Sequence, residues 1–373
     1  MKKKIICIVS HYPDPLINKR LEMLKERYKV LVVYNERGNN NFSKIEEVDY
    51  IKMSVHFDNG QFLKRAFSLF KLKKEIKPLL KKENPYFIFA FGLDMLIMAL
   101  NCGFKNKKII YEIADLHETI INDSKNIIKK IIKFILTSIE KKACKHVDIL
   151  SLTSEKYYDV YFSRFVDKAK VVYMPNIPDL KYFKDYKKNN HKDFTVGFIG
   201  LVRFNKQMKL LIKASEKTDI KVLFAGDAED DEIKHMSQNS KNVEYYGRYN
   251  YNKEIANLYS KCDCIYSVYD ISYNNVKYAL PNKLYEAIYC ELPILVSDGT
   301  YLSELVEKLG VGVKVDSTSL EDLIYKIELL NKNKKMYNEI VENCIKNKKK
   351  INMDIYNNKF LEMTIELEKK NRK

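Results

Sequence analysis

Short apolar runs alternate with amphipathic segments along almost the whole chain. In its first half, runs rich in Ile, Val, Leu and Phe lie at 4–10, 29–35, 85–92, 107–115, 147–154 and 170–176. Segments with apolar residues at helical spacing lie between them, at 16–28, 61–84 and 124–145. Near-continuous apolar runs are typical of strands buried on both faces, so the pattern predicts parallel βαβ units.

The alternation pauses over the polar stretch 179–193, which we interpret as a linker, and then restarts. Further strands are predicted at 194–200, 220–226, 243–248, 262–268, 292–298 and 311–315. Further helices are predicted at 207–218 and 320–331, with one long polar helix at 335–370. A chain of 373 residues exceeds one usual hydrophobic core. We therefore predict an α/β protein with two Rossmann-like domains, 1–178 and 194–345, whose parallel sheets face a central cleft.

The formal net charge is +17, which favours an anionic partner such as nucleic acid, anionic lipid or a phosphorylated substrate. Against a nucleic-acid partner, the basic residues lie mostly on predicted helices without an aromatic-stacking or helix-turn-helix signature. No apolar run reaches the ~18 residues of a membrane span. The seven cysteines are odd in number and form no CxxC pair, which favours reduced cytosolic thiols over disulfides or a zinc site.

The segment after the strand at 194–200 carries candidate phosphate chemistry. The strand ends at Gly200, and a loop with Arg203 and Lys206 then opens a helix. Backbone N–H groups at a helix start, together with two cations, favour binding of a diphosphate.

The stretch YALPNKLYEAIYCELPILVS, residues 278–297, carries a second candidate group. Lys283 and Glu286 are three residues apart, so they share one face of a predicted helix. The Lys can reach a phosphate, and the Glu can accept hydrogen bonds from a ribose diol. The pair is therefore predicted to bind a nucleotide.

Over about 194–330, these blocks in this order resemble the C-terminal domain of group 1, or family 4, glycosyltransferases of the GT-B fold. The stretch ALPNKLYEAIYCELPILVSD resembles the family's PxKxxEAxAxGxPV segment. The resemblance implies that Glu286 holds the ribose and that Arg203 and Lys206 neutralise the diphosphate near Gly200. It also implies that the donor sugar is held by the loop before Lys283, which contains Tyr278, Leu280, Pro281 and Asn282. Tyr278 stands where family members often have a second Glu, which leaves the donor choice open.

The first half resembles the family less closely. The segment YEIADLHETI, 111–120, is similar to a D-x-H-D/E segment whose His contacts the donor sugar near the reacting carbon. The resemblance therefore implies a catalytic role for His117, flanked by Asp115 and Glu118 at the carboxyl end of a strand. The loop after the first strand has no Gly, and we expect its polar residues to line the acceptor side: His11, Asp14, Asn18 and Arg20.

The resemblance implies sugar transfer from a UDP- or GDP-type donor to an acceptor hydroxyl, with retained anomeric configuration. It also implies that the last segment, 346–373, crosses back onto the first domain. Cations and helix N-termini can stabilise the departing diphosphate, so no divalent metal is required. The acidic run at 226–232 is interpreted as a helix start. The expected acceptor is a glycan or lipid-linked glycan of a bacterial surface polysaccharide, handled in the cytoplasm.

The segment 124–145 combines a stripe of Ile residues with an opposing Lys face. We expect the sheet to bury the Ile stripe. The Lys face, with that of 61–84, favours peripheral contact with an anionic membrane on its cytosolic side.

Three alternatives remain open at this stage. One is another GT-B enzyme, such as a nucleotide-sugar epimerase or a phosphorylase. The second is a degenerate GT-B protein that binds a nucleotide sugar or a partner without turnover. The third, suggested by the charge, is a nucleic-acid-binding protein.

Overall fold

A computed structural model describes residues 2–36, 44–53, 62–103, 107–122, 125–189 and 192–370. The chain divides into two compact units. Unit 1 comprises Met1–Pro175 together with Asp354–Lys373, and unit 2 is Asn176–Met353.

Unit 1 is built, within the described residues, on a seven-stranded parallel sheet in the order β3-β2-β1-β4-β5-β6-β7. The strands are β1 (Lys4–Ile8), β2 (Lys29–Tyr34), β3 (Val48–Lys52), β4 (Phe87–Phe91), β5 (Lys108–Ile113), β6 (Ile149–Leu152) and β7 (Val171–Tyr173). The helices are α1 (Pro15–Lys25), α2 (Phe62–Glu83), α3 (Leu93–Asn101), α4 (Glu118–Ile121), α5 (Ile127–Cys144) and α6 (Glu155–Val160). All strands except the edge strand β3 coincide with predicted apolar runs.

Unit 2 has a six-stranded parallel sheet in the order β10-β9-β8-β11-β12-β13. Its strands are β8 (Phe194–Ile199), β9 (Ile220–Ala225), β10 (Val243–Gly247), β11 (Cys264–Ser267), β12 (Ile294–Ser297) and β13 (Gly312–Val315). Its helices are α7 (Asn205–Lys217), α8 (Asp231–Gln238), α9 (Tyr251–Ser260), α10 (Asn274–Tyr278), α11 (Asn282–Tyr289), α12 (Tyr301–Leu309), α13 (Leu320–Lys332) and α14 (Lys334–Lys348). The predicted fold class, two Rossmann-like α/β units, is confirmed.

The segment interpreted as a linker, 179–193, packs onto unit 2 in its first half. A 3-10 helix spans Leu180–Phe183, and Phe183 is buried with its ring centroid 5.6 Å from that of Tyr259. The Tyr186 hydroxyl donates a hydrogen bond of 2.8 Å to the carbonyl of Cys290. These contacts make the segment part of unit 2.

The long helix predicted at 335–370 is two helices, because the chain turns over residues 349–352 between α14 and α15 (Met353–Lys370). The second of them packs within unit 1. The ring of Phe360 stacks on that of Phe89 at 5.7 Å, and the Tyr28 hydroxyl donates a hydrogen bond of 2.8 Å to Glu368.

Candidate functional site

The sheet of unit 2 places its crevice between β8 and β11. The chain adds β9 and β10 on one side of β8 and then returns to add β11 on the other side. Loops leaving two such strands diverge to opposite faces of a parallel sheet, which opens a ligand crevice at their carboxyl ends. The predicted donor residues follow these strands.

Lys283 lies against the loop that follows β8. Gly200 has a φ of 134°, a conformation that favours glycine, and a Cβ there would lie 2.9 Å from the Lys283 amine. The same amine is 4.4 Å from the ring centroid of Phe198 and 5.7 Å from that of Tyr269. The aromatic faces attract the ammonium group and hold it at the carboxyl end of β8.

Glu286 is three residues further along α11, and only 3% of its surface is exposed. The Tyr251 hydroxyl donates a hydrogen bond of 2.7 Å to its Oε1, and the Tyr259 hydroxyl donates one of 2.5 Å to its Oε2. Burial and the nearby carboxylate raise the pKa of both tyrosines, so both hydroxyls remain donors at neutral pH. A carboxylate has about four lone-pair sites, so Glu286 can accept further hydrogen bonds from a ligand.

Sequence reasoning missed the two tyrosines. Both lie on α9, at its first residue and its ninth, and reach Glu286 from a different helix. The available signal was their separation of eight residues, which keeps two side chains on neighbouring parts of one helical face.

Arg203 and Lys206 are exposed near the start of α7. The Arg203 guanidinium lies 5.2 Å from the ring centroid of Phe204, which has the left-handed φ of 65°. Burial alone would raise the pKa of Asp270, but hydrogen bonds from Ser272 and the charge of Lys206 lower it. Lys206 is thus electrostatically linked to the segment after β11.

The remaining predicted donor residues follow α9 and β11 along the chain. Tyr278 ends α10, Leu280 and Pro281 lie in the connection, and Asn282 begins α11. Each is partly exposed. This connection leads directly into Lys283, and Tyr278 lies at the end of the helix before it.

The acidic run after β9 is a helix start, as predicted. The Asp230 carboxylate caps α8 by accepting a hydrogen bond of 2.9 Å from the Glu232 amide. The side-chain amide of Asn205 donates a hydrogen bond of 2.6 Å to the Asp230 carboxylate. Throughout the part of the chain that the structure describes, no group of three His, Cys, Asp or Glu side chains could hold a metal ion.

Unit 1 has the corresponding crevice between β1 and β4. His11 follows β1, and its Nε2 lies 3.4 Å from Asp14, which caps α1 through the Ile17 amide at 2.9 Å. Burial alone would raise the pKa of Asp14, yet the His11 contact and backbone donors lower it. Gly92, which sequence reasoning missed, follows β4 with a φ of 83° and is the N-cap residue of α3.

Arg20, predicted to line the acceptor side, is instead a core residue. It is fully buried, and its Nε donates hydrogen bonds of 3.0 Å to both carboxylate oxygens of Glu112 on β5. Its Nη2 donates a hydrogen bond to the carbonyl of Met174. The Ser151 hydroxyl donates a hydrogen bond of 3.0 Å to the Glu112 carboxylate. The prediction was wrong because Arg20 pairs with Glu112, which lies 92 residues away in the chain, so the sequence around Arg20 gives no sign of the pair. The buried Oδ1 of Asn18 has no hydrogen-bond partner in the described structure.

Asp115, His117 and Glu118 follow the carboxyl end of β5, the strand beside β4. His117 is exposed, and its Nδ1 accepts a hydrogen bond of 3.2 Å from the Thr119 amide. In a neutral ring, Nε2 therefore carries the proton and can donate. Asp115 accepts a hydrogen bond of 3.2 Å from Tyr157. Glu118 begins α4, but its side chain lies outside the described structure.

Comparisons with known proteins agree with this architecture. Residues 181–350 match the family model described as glycosyl transferases group 1. No curated protein sequence matches significantly.

Solved structures match over nearly the whole chain at low identity. Sucrose-phosphate synthase from Thermosynechococcus elongatus superposes with a TM-score of 0.76 and 14% identity, covering 98% of this chain and 99% of that one. HepE of Anabaena, solved in complex with UDP, superposes with a TM-score of 0.70 and 13% identity. The match covers 98% of this chain and 100% of HepE. WaaG, a glycosyltransferase involved in lipopolysaccharide biosynthesis, superposes with a TM-score of 0.69 and 13% identity. The match covers 95% of this chain and 98% of WaaG.

The fold is that of GT-B glycosyltransferases, and within unit 2 residues 181–350 match the group 1 glycosyl transferase model. The GT-B fold and the family resemblance predicted from the sequence blocks are confirmed.

Proposed function

We propose that the protein transfers a sugar from a UDP- or GDP-type nucleotide sugar to an acceptor hydroxyl, with retained configuration. The observation that carries the proposal is the arrangement on α11. A cation, Lys283, lies against Gly200 at the sheet crevice, and a buried carboxylate, Glu286, lies one turn further along. The two spaced groups suit a diphosphate and a ribose. HepE, which shares the fold, was solved with UDP and with UDP-glucose.

In this proposal each group of unit 2 has one role. Glu286 accepts hydrogen bonds from the ribose hydroxyls, while Tyr251 and Tyr259 hold its carboxylate in place. Lys283, Arg203 and Lys206 neutralise the charge that develops on the diphosphate as its bond to the sugar carbon breaks. These cations and the start of α11 replace a divalent metal, so the reaction needs none.

The unit 1 residues act on the sugar. His117 donates from Nε2 to a sugar hydroxyl near the reacting carbon, and Asp115 and Glu118 flank it in the same catalytic segment. The acceptor oxygen then bonds to that carbon as the bond from the carbon to the diphosphate breaks, and its proton passes to the departing diphosphate oxygen. His11 and Asp14, at the carboxyl end of β1, line the acceptor side.

We further infer that the acceptor is a glycan or lipid-linked glycan in the assembly of a bacterial surface polysaccharide, on the cytoplasmic side. WaaG, involved in lipopolysaccharide biosynthesis, shares the fold. The net charge of +17 favours an anionic, phosphorylated acceptor or a lipid surface.

A thermal-shift panel tests the donor proposal. UDP, GDP, CDP, ADP and their common sugar conjugates are compared without metal, at low and moderate salt. A ligand at about 100 times its Kd adds about 2.7 kcal/mol of stability. We expect a shift with one base alone. No shift with any nucleotide would overturn the proposal, and a shift without turnover on glycan extracts would identify a binding protein that lacks activity.

A further inference from the structure

The apolar stripe of α5 faces solvent, so the expectation that the sheet buries it is wrong. We call these side chains the α5 patch: Ile127, Ile128, Ile131, Ile132, Phe134, Ile135 and Ile139. All are exposed, with 74% of the Phe134 surface and 67% of the Ile127 surface accessible. Contiguous exposed apolar surface of this kind marks an interaction site.

The helix is anchored through its opposite side. Glu140, Ala143 and Cys144 are buried, and the hydroxyls of Tyr111 and Tyr161 donate hydrogen bonds of 2.6 and 2.7 Å to the Glu140 carboxylate. At about 100° per residue, the α5 patch is centred on roughly the opposite side of the helix from these buried residues. The buried side chains of α5 thus lie in its last two turns, and its apolar face points outward.

Lysines accompany the α5 patch, and the helix has no exposed acid. Lys129, Lys130, Lys141 and Lys142 are exposed, whereas Glu140, the one acidic residue of α5, is buried. Helix α3 contacts both α5 and α2. Helix α2 also carries an exposed acid, Glu75, and exposed lysines: Lys71, Lys74, Lys77, Lys81 and Lys82.

We propose that the α5 patch docks the protein on an anionic lipid bilayer, with the helix lying in the plane of the interface. Apolar residues enter the boundary between head groups and acyl chains, while the lysines pair with anionic head groups. Charge decides against a second copy as the occupant, because the exposed Lys142 lies on the patch side of the helix and α5 has no exposed acid that could pair with it in the other copy. Across the described residues, no helix is long and apolar enough to cross a membrane.

Vesicle flotation of the purified chain, without nucleotide, tests the proposal. Vesicles of phosphatidylcholine alone are compared with vesicles that also contain phosphatidylglycerol. We expect binding to the anionic vesicles only. Phe134→Glu should weaken it at least about tenfold, by the loss of one buried aromatic side chain. Lys129→Gln with Lys130→Gln should weaken it about 25-fold, at about fivefold per lysine.

The matched control is Ile355→Glu. Ile355 is 58% exposed on α15 of the same unit, so this change adds the same charge away from the α5 patch and should leave flotation unchanged. Circular dichroism checks that each variant is folded.

Two outcomes overturn the proposal: no flotation of the wild-type chain, or flotation that the α5 variants leave unchanged. A dimer in sedimentation velocity that Phe134→Glu dissociates would assign the patch to a second copy instead. Vesicle binding without any nucleotide binding would keep the docking proposal and overturn the transferase proposal. Nucleotide binding without vesicle binding would overturn the docking proposal and keep the transferase proposal.

Discussion

Tyr259 of α9 donates a hydrogen bond of 2.5 Å to Oε2 of Glu286 on α11. With the bond from Tyr251, it orients a buried carboxylate whose remaining lone pairs are available to a ligand. In the proposed function the tyrosines are therefore positioning residues, while Glu286 contacts the nucleotide.

Glu286→Ala should weaken UDP or GDP affinity at least about tenfold, because hydrogen bonds to a charged group contribute about 1.5–3 kcal/mol each. Tyr259→Phe should weaken it less, by raising KM while kcat stays near the wild-type value. Isothermal titration calorimetry and initial rates measure both effects. The control is Tyr246→Phe, which removes a donor to the exposed Glu254 in the same unit. Unchanged nucleotide affinity in the Glu286 variant would contradict the ribose assignment.

Lys283→Gln should weaken binding of the nucleoside diphosphate about tenfold and leave binding of the nucleoside unchanged, because the lost ammonium meets only the phosphates. The affinity of the Lys283→Gln variant for the nucleoside diphosphate should also depend less on salt concentration. Titrations at two ionic strengths measure this. Lys261→Gln is the control, since Lys261 pairs with Glu244 at 3.1 Å on the surface of unit 2. An equal loss of affinity for the nucleoside and for the nucleoside diphosphate would indicate disrupted packing against Phe198 instead.

His117→Ala should lower kcat about 100-fold or more and change donor affinity little, because its Nε2 proton acts on the reacting sugar. Steady-state rates and equilibrium titration of the donor separate the two effects. His146→Ala, which changes an exposed His in the same unit, is the control. Full activity in the His117 variant would remove its catalytic assignment.

The packing of α15 should weaken in acid. Burial alone would raise the pKa of Glu368, but Tyr28, Lys3 and Arg27 lower it below its ordinary value of 4.5. A carboxylate with a depressed pKa stabilises the fold above its unfolded pKa, and this stability is lost as pH falls through the folded pKa. Glu368→Gln should therefore cost about 1–2 kcal/mol at neutral pH and much less near pH 3.

Urea unfolding at the two pH values measures this difference. Glu366→Gln, which changes an exposed carboxylate on the same helix, should have no comparable effect at either pH. A constant difference between wild type and Glu368→Gln at both pH values would contradict the assignment.

Much of the fold follows from the sequence, since strands buried on both faces appear as continuous apolar runs. The edge strand β3, Val48–Lys52, does not, because its outer positions are solvated and its residues VDYIK lack such a run. The spacing of Lys283 and Glu286 placed both on α11.

Features that depend on distant partners were not predictable. Arg20 looked like a site residue until Glu112, 92 residues away, was seen to pair with it inside the core. The amphipathic pattern of α5 predicts an apolar face but not which way that face points. Helical periodicity is the same for a stripe that packs on a sheet and for one that remains outside.

Helix α15 gives the two units different positions in the order of synthesis. Unit 2 is one continuous stretch, so all of it is translated before residues 354–370. Unit 1 is interrupted, and the side chains that cover Tyr28 and Phe89 are made after the whole of unit 2. Domains fold as units during translation. Unit 2 can therefore complete its fold before unit 1, which needs residues 354–370 to emerge as well.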